Sequence, residues 1–461
     1  MTKTGRLIVV SNRAPSDGPP SGGLVVALHD CLKAHGGLWV GTSGDLTDTP
    51  ADTFQTVDGD GYQIKTFDLT PAEQQGYYLS YANGVLWPIC HRRADLIEIT
   101  RSAFAHYIGV NQRLARMLAA ICTPEDRIWI HDYHFLPLAA CLRAEGVTAT
   151  LGYFHHIPFP TPQDLQALPQ AAEFPGWLAA FDLVGLQTQA DVGTALELFR
   201  QQDQSEHLSN GNLLYRGREF MLRSFPIGID TKGFQADATA LDGRALAHLP
   251  DDMRLIIGVD RLDYSKGLPN RLSAFGRYLD ERDPEAPRAT FLQIAPPTRG
   301  ELTAYQDVRQ HCELIAGTIN GEHAELGWNP INYLHRGIPR AHLAALYRAA
   351  AVGLVTPFCD GMNLVAKEYV AAQNPEDPGV LILSRGAGAA EVLTEALIVN
   401  PYDVAHMADA IRTALDMPRA ERIERHTALF EAVQDSDIRT WTSSYLQVFD
   451  QGPAQLSVLQ D

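Results

Sequence analysis

A repeated order of short apolar run, tight loop and helix-like segment constrains this chain most. In its clearest instance Ala351-Val352-Gly353-Leu354-Val355 is closed by Thr356-Pro357. Asp360-Gly361-Met362-Asn363-Leu364-Val365-Ala366-Lys367-Glu368 then leads into a helix-like segment from Leu364 to Gln373. Short apolar runs without alternation suit strands buried on both faces of a parallel sheet. Leu255-Ile256-Ile257-Gly258-Val259 is a second such strand, and Arg6-Leu7-Ile8-Val9-Val10 is the first in the chain. Gly23 to His35 reads as a helix closed by Gly36-Gly37. Further strands are expected at Arg127 to Ile130, Ala149 to Tyr153 and Leu183 to Leu186. Phe225 to Asp230 reads as a hinge, with linker composition to about Asp252, and a second strand–helix series runs from Arg254 to about Asp416. These signals predict an α/β chain of two doubly wound sheets facing across a cleft, with domains at residues 1–230 and 231–461. Helices after Pro418 could pack against either half. A chain of 461 residues is long enough for both cores.

The turn from strand to helix at 360–368 aims several backbone N–H groups outward at the positive end of a helix dipole, which favours phosphate. Asp360 precedes the helix, and Glu368 lies one turn beyond Leu364 on the same face. Two carboxylates beside an anion site suit the hydroxyls of a sugar and a ribose attached to the phosphate, so the stretch points to a nucleotide sugar. Positive charge comes from Asp260-Arg261-Leu262-Asp263-Tyr264-Ser265-Lys266-Gly267. Arg261 and Lys266 fall just past the carboxyl end of a strand, where open α/β sheets bind ligands. Two fixed cations and helix N–H groups would stabilise a departing diphosphate without a metal. The bland alternative is an Arg and a Lys on a solvated loop, paired with Asp260 or Asp263.

The formal net charge of −18 argues against nucleic acid or an anionic membrane surface as partner. No apolar run approaches transmembrane length. The six cysteines (Cys31, Cys90, Cys122, Cys141, Cys312, Cys359) are scattered with no C-x-x-C pair. With no secretory signal read in the sequence, they lead us to expect a reduced, cytoplasmic protein.

In the N-terminal half, Ser11-Asn12-Arg13 follows the first strand, and Ser21-Gly22-Gly23-Leu24 opens the helix. Glycines beside an Arg suit close approach to a phosphate, but neither G-x-G-x-x-G nor G-x-x-x-x-G-K-[ST] is present. His131-Asp132-Tyr133-His134 and Phe154-His155-His156-Ile157-Pro158-Phe159-Pro160 each follow a strand. Their spacing fits no common zinc pattern, so positioning of polar substrate groups is the stronger reading and no metal is expected. Asp58-Gly59-Asp60 has the D-x-D form of metal-dependent glycosyltransferases but reads as a turn between short strands. Tyr78 and Trp87 are aromatics in a polar context, with core packing as the default. Arg299 follows another strand and could face the same cleft; a solvated Arg is the alternative.

Taken in order, these stretches resemble the trehalose-6-phosphate synthases, retaining glycosyltransferases of the GT-B fold. The resemblance runs from Leu7 to about Tyr402. It is carried by Val10-Ser11-Asn12-Arg13, Trp129 to His134, His156 to Pro160, Arg261 to Gly267 and Asp360 to Glu368. It implies two Rossmann-like domains and transfer of glucose from UDP-glucose, a co-substrate, to glucose 6-phosphate, giving α,α-trehalose 6-phosphate. By the same resemblance Arg261 and Lys266 hold the donor diphosphate, assisted by Gly23 and by the backbone of Met362, Asn363, Leu364 and Val365. Glu368 binds the ribose, and Asp360 and His156 orient the transferred glucose. Arg13, Tyr78, Trp87, Asp132 and Arg299 hold the acceptor, with Arg13 and Arg299 nearest its phosphate. The implied mechanism is front-face, with Arg261, Lys266, Asp360 and His156 the residues closest to the chemistry.

One position departs from the family pattern: Thr42 stands where a Trp is common, near the sugar end of the cleft. A relative that glucosylates glycerol 3-phosphate from ADP-glucose shares the donor motifs and is the alternative enzyme; Tyr78 and Trp87 favour the larger hexose phosphate. A non-catalytic sugar-phosphate sensor would be expected to lose donor-site charges, yet Arg261, Lys266, Asp360 and Glu368 are all present. A pyridoxal-dependent phosphorylase would need a Schiff-base lysine and would show a visible band. Nucleotide base, regulation and oligomeric state, a homo-oligomer included, stay open.

Overall fold

The computed structural model describes residues 5–15, 23–250 and 252–455. It forms two compact units. One holds the residues up to Pro226 together with those from Arg439 on, and the other runs from Ile227 to Ile438. No described helix is long and apolar enough to cross a membrane.

The first unit is built on strands β1 (Leu7–Arg13), β2 (Leu38–Leu46), β3 (Gln55–Asp58), β4 (Gln63–Leu69), β5 (Arg127–His131), β6 (Thr150–Phe154), β7 (Leu183–Leu186), β8 (Ser205–His207), β9 (Leu213–Tyr215) and β10 (Arg218–Ser224). Among the described residues they form a 10-stranded sheet in the order β3-β4-β2-β1-β5-β6-β7-β10-β9-β8. Its centre is parallel, and Leu7 to Val10 pair with Arg127 to Ile130 on one side while Ile8 to Val10 pair with Leu38 to Val40 on the other. Leu7 to Val10 are almost wholly buried, as both faces of a parallel sheet demand. The order reverses direction between β1 and β5, which marks a switch point at their carboxyl ends. Helix α1 (Gly23–His35) follows β1 as expected. Ser21 and Gly22 lie outside the described residues.

The second unit carries β11 (Arg254–Val259), β12 (Ala289–Ile294), β13 (Ile331–Leu334), β14 (Val352–Val355), β15 (Val380–Ser384) and β16 (Leu397–Val399), in the order β13-β12-β11-β14-β15-β16. Every pairing in it is parallel. The reversal falls between β11 and β14. Helices α2 (Leu268–Glu281) and α3 (Leu364–Ala372) leave the loops after these two strands. A core from Ile256, Leu272, Phe275, Phe291, Leu354 and Ile382 to Ile411 fills one side of the sheet.

The linker expected up to Asp252 is overturned. Helices span Thr231–Thr239 and Gly243–Leu246. Asp230 caps the first by accepting from the Gly233 amide, and Asp242 caps the second. Phe234 and Ala238 bury the face of the first. Capping aspartates in a polar stretch give this short helix pair the composition of a linker.

After α4 (Arg419–Asp435), the final helix α5 (Ile438–Gln455) returns to the first unit. The Tyr445 ring stacks on Trp129 at 4.3 Å and 11°, and its hydroxyl donates to the Tyr153 carbonyl at 3.1 Å. Gly152 on β6 leaves room for this helix, since a Cβ there would lie 2.4 Å from the Tyr445 hydroxyl. Tyr445→Ala should destabilise the first unit by about 3–5 kcal/mol, and Tyr445→Phe by about 1 kcal/mol. Urea unfolding checks both; equal losses would mean that the ring contributes nothing beyond its hydroxyl.

Candidate active site

Residues at the switch point of the second unit converge on one cluster. Val259 ends β11, and the exposed Arg261 follows. The chain then makes a short turn, Tyr264–Lys266, capped by the Asp263 carboxylate on the Ser265 amide at 2.9 Å. Lys266 is buried, and its Nζ donates to Asp360 Oδ2 at 2.5 Å. It is therefore neither solvated nor paired with Asp260 or Asp263, as the bland reading of this loop would have it. Asn363 Nδ2 donates to the same Asp360 oxygen at 2.9 Å, while its Oδ1 accepts from the Ala366 amide at 3.3 Å and caps α3. The cap leaves the N–H groups of Leu364 and Val365 outside the helical ladder. Asn363 adopts φ +74°, a left-handed conformation that Asn tolerates better than most residues.

Hydrogen bonds across the loops hold this geometry. The Phe358 amide donates to the Ser265 carbonyl at 2.8 Å, the Asp360 amide to Gly386 at 2.9 Å, and the Ala389 amide to Met362 at 2.8 Å. Beneath them Arg271, fully buried on α2, pairs with Asp260 at 2.8 Å and donates to Thr356 Oγ1, Gln293 Oε1 and the Lys266 carbonyl. One guanidinium thus ties the ends of β12 and β14 and the Lys266 turn together. Burial raises the Asp260 pKa although Arg271 and Lys266 pull it down. Glu368, one turn into α3, is pushed up to about 7 by burial, against a smaller opposing pull from Arg340. Arg299, at φ +46°, donates to the Tyr305 hydroxyl at 2.7 Å and lies 3.5 Å from the buried Asp263 carboxylate. Its side chain is 8% exposed, so it is not a solvated arginine.

The first unit gathers a second set at its own switch point. The exposed Arg13 ends β1. Asp132 follows β5 at φ +74°, and its carboxylate accepts from the His156 amide at 3.3 Å. His131 Nδ1 and His156 Nε2 are 3.0 Å apart. Burial holds the imidazoles of His155 and His156 down to about 3, and His131 well below its ordinary value, so all three are neutral near pH 7. Tyr78 stacks on His134 at 5.7 Å and 12°, from a π-helix over Gln74–Leu86. Trp87, buried, stacks on His91 at 4.1 Å and lies 5.8 Å from Tyr133. Gly23 is the first residue of α1. Thr42 is buried, its hydroxyl donating to the Asn12 carbonyl at 2.7 Å beside Arg13. Asp58-Gly59-Asp60 is the turn of the β3–β4 hairpin, with Lys33 paired to Asp60. Among the described residues, no three of His, Cys, Asp or Glu are grouped so as to hold a metal ion.

The model of glycosyltransferase family 20 matches residues 11–451. The chain belongs to glycosyltransferase family 20. It is 44% identical over 449 residues to the trehalose-6-phosphate synthase of Cronobacter sakazakii, covering 96% of this chain and 94% of that one. A solved E. coli structure bound with UDP-2-fluoro glucose matches with a TM-score of 0.93 and 42% identity, over 97% of this chain and 99% of that one. The UDP-forming α,α-trehalose-phosphate synthase of Burkholderia xenovorans, in complex with glucose-6-phosphate, matches with a TM-score of 0.90 and 42% identity, over 96% of this chain and 100% of that one. The two-sheet architecture is thus that of solved family 20 enzymes.

Two residues of the described geometry, Arg271 and His131, are not among the sequence-predicted site residues. Arg271 sits on the apolar stripe Leu268, Leu272, Phe275, Leu279 of α2, and a lone charge on such a stripe was its available signal. His131 sits within a run of histidines, and its direct contact with His156 is a long-range pairing that no local pattern signals. Neutral buried histidines imply a sign for acid sensitivity. Between pH 3 and 6.5 the unfolded state binds more protons at His155 and His156, so stability falls as pH drops through that window. Glu368 opposes this, because from pH 4.5 to 7 its folded form holds the extra proton. Melting temperatures at pH 5, 6 and 7 should therefore rise with pH more steeply in Glu368→Gln than in the parent. A shallower rise would contradict the assigned environment of Glu368.

Proposed function

We propose that this protein transfers glucose, with retention, from UDP-glucose to glucose 6-phosphate, giving α,α-trehalose 6-phosphate and UDP. The observation that carries the reading is the preformed cluster of Lys266, Asp360 and Asn363 at the start of α3, with Arg261 on the adjoining loop. It combines cations, outward N–H groups and a hydroxyl-accepting carboxylate at one strand-order reversal. This is the set a nucleoside diphosphate sugar needs.

In this reading the C1–oxygen bond to the diphosphate breaks while a bond from C1 to the acceptor oxygen forms on the same face. The acceptor hydroxyl proton passes to the departing diphosphate. Arg261, Lys266 and the N–H groups of Leu364 and Val365 take up the negative charge that grows there. Glu368 accepts from the ribose, while Met362 and Gly23 contribute backbone. Asp360 and His156 orient the glucose, and a neutral His156 does so as a hydrogen-bonding group rather than a cation. Arg13, Tyr78, Trp87, Asp132 and Arg299 are assigned to the acceptor. Asp132 and Arg299 are both held at positive φ, a conformation that costs free energy in residues other than Gly and Asn.

The test is product formation from UDP-glucose with glucose 6-phosphate, beside glycerol 3-phosphate and a no-acceptor control, with ADP-glucose and GDP-glucose in parallel. UDP release only with glucose 6-phosphate, with a phosphorylated non-reducing disaccharide, supports the proposal. Preference for glycerol 3-phosphate would move the enzyme to the alternative acceptor and direct attention to Thr42. Arg261→Ala and Lys266→Ala should each lower kcat roughly 10²–10³-fold while circular dichroism stays native. Near-parent rates in either would remove the diphosphate role.

A further inference from the structure

Lys367, on α3 between the proposed donor backbone and Glu368, has no place in the reaction described above. Its side chain is fully buried, and its Nζ donates to the Ile227 carbonyl at 2.8 Å and to Ser436 Oγ at 3.1 Å. These two partners have one property in common. The chain passes between the two units after Pro226 and again after Ile438, so Ile227 opens the second unit and Ser436 lies just before its end. The two segments run side by side. The Ile438 amide donates to the Ile229 carbonyl at 3.1 Å, and a Cβ added at Gly228 would fall 1.7 Å from the Ser436 carbonyl oxygen. Ser436 Oγ in turn donates to Ala432 on α4 at 2.8 Å, and His426 on α4 bonds the Val370 carbonyl of α3 at 3.1 Å.

A buried ammonium is a costly way to fill space, and burial pulls this one down to about 7. An apolar side chain of similar length would pack as well. What the amine adds is connection, because one atom bonds the donor helix to both chain crossings.

We propose that Lys367 is a positioning residue that couples the donor helix to the two crossings, so that a nucleoside diphosphate held at the start of α3 also orders Ile227–Ile229 and Ser436–Ile438. The proposal rests on the donor reading given above. All of these contacts lie within the second unit.

Hydrogen–deuterium exchange of the full chain with and without UDP tests it. In the parent, UDP should slow exchange over residues 362–368, and it should slow the Ile438 amide at least about fivefold, the low end of coupling between linked sites. In Lys367→Met, UDP should still protect 362–368 while the crossing segments lose their response. Ser436→Ala, which removes a single contact, should give a partial loss and serves where the lysine variant does not fold. A full crossing response in both variants, or none in the parent while 362–368 is protected, overturns the coupling alone. No protection of 362–368 in the parent overturns the donor reading, and the coupling with it.

Discussion

The contact between Lys266 and Asp360 is the interaction on which the site depends. It joins the loop after β11 to the loop after β14 across the reversal in strand order, and both partners are largely withdrawn from water. Such a pair adds little net stability, because desolvating two charges offsets most of their attraction. Its effect is positional. With Asn363 on the same carboxylate oxygen and Arg271 beneath the Lys266 carbonyl, the cation is set before any ligand arrives. A fixed cation stabilises developing charge without reorganising at the moment of reaction.

The two units apply one rule with different chemistry. Each gathers polar side chains at the carboxyl ends of the strands at or beside the reversal in sheet order, β1, β5 and β6 in one and β11, β12 and β14 in the other. In the second unit the groups are charged and paired. In the first the exposed Arg13 stands with neutral imidazoles, an aspartate bonded to a backbone amide, and an aromatic face stacked on histidine, an environment suited to sugar hydroxyls and ring faces.

Much of this was legible in the sequence, for identifiable reasons. Strands buried on both faces are continuous apolar runs, so β1, β5, β6, β7, β11 and β14 fell within a residue or a few of their expected places. The start of α3 was readable because Asn363 caps it and loop residues precede it. Long-range partners were not readable. Nothing local says that Lys266 chooses Asp360 over the nearer Asp260 and Asp263, a choice made by Asp263 capping its own turn and Asp260 taking Arg271. Nor could a π-helix under Tyr78 be read from composition, since its mixed polar and aromatic pattern follows neither the 3.6 nor the 2 period. The helices after Asp230 were hidden by the polar caps that start them.

In the proposed reaction, fixed cations and helix N–H groups by themselves hold the donor's diphosphate. Calorimetric titration of UDP into the protein in the presence of a chelator tests this most directly. One UDP should bind per chain under chelator, with affinity that weakens as salt rises. Binding that appears only when a divalent metal is supplied, or that ignores salt, would contradict it.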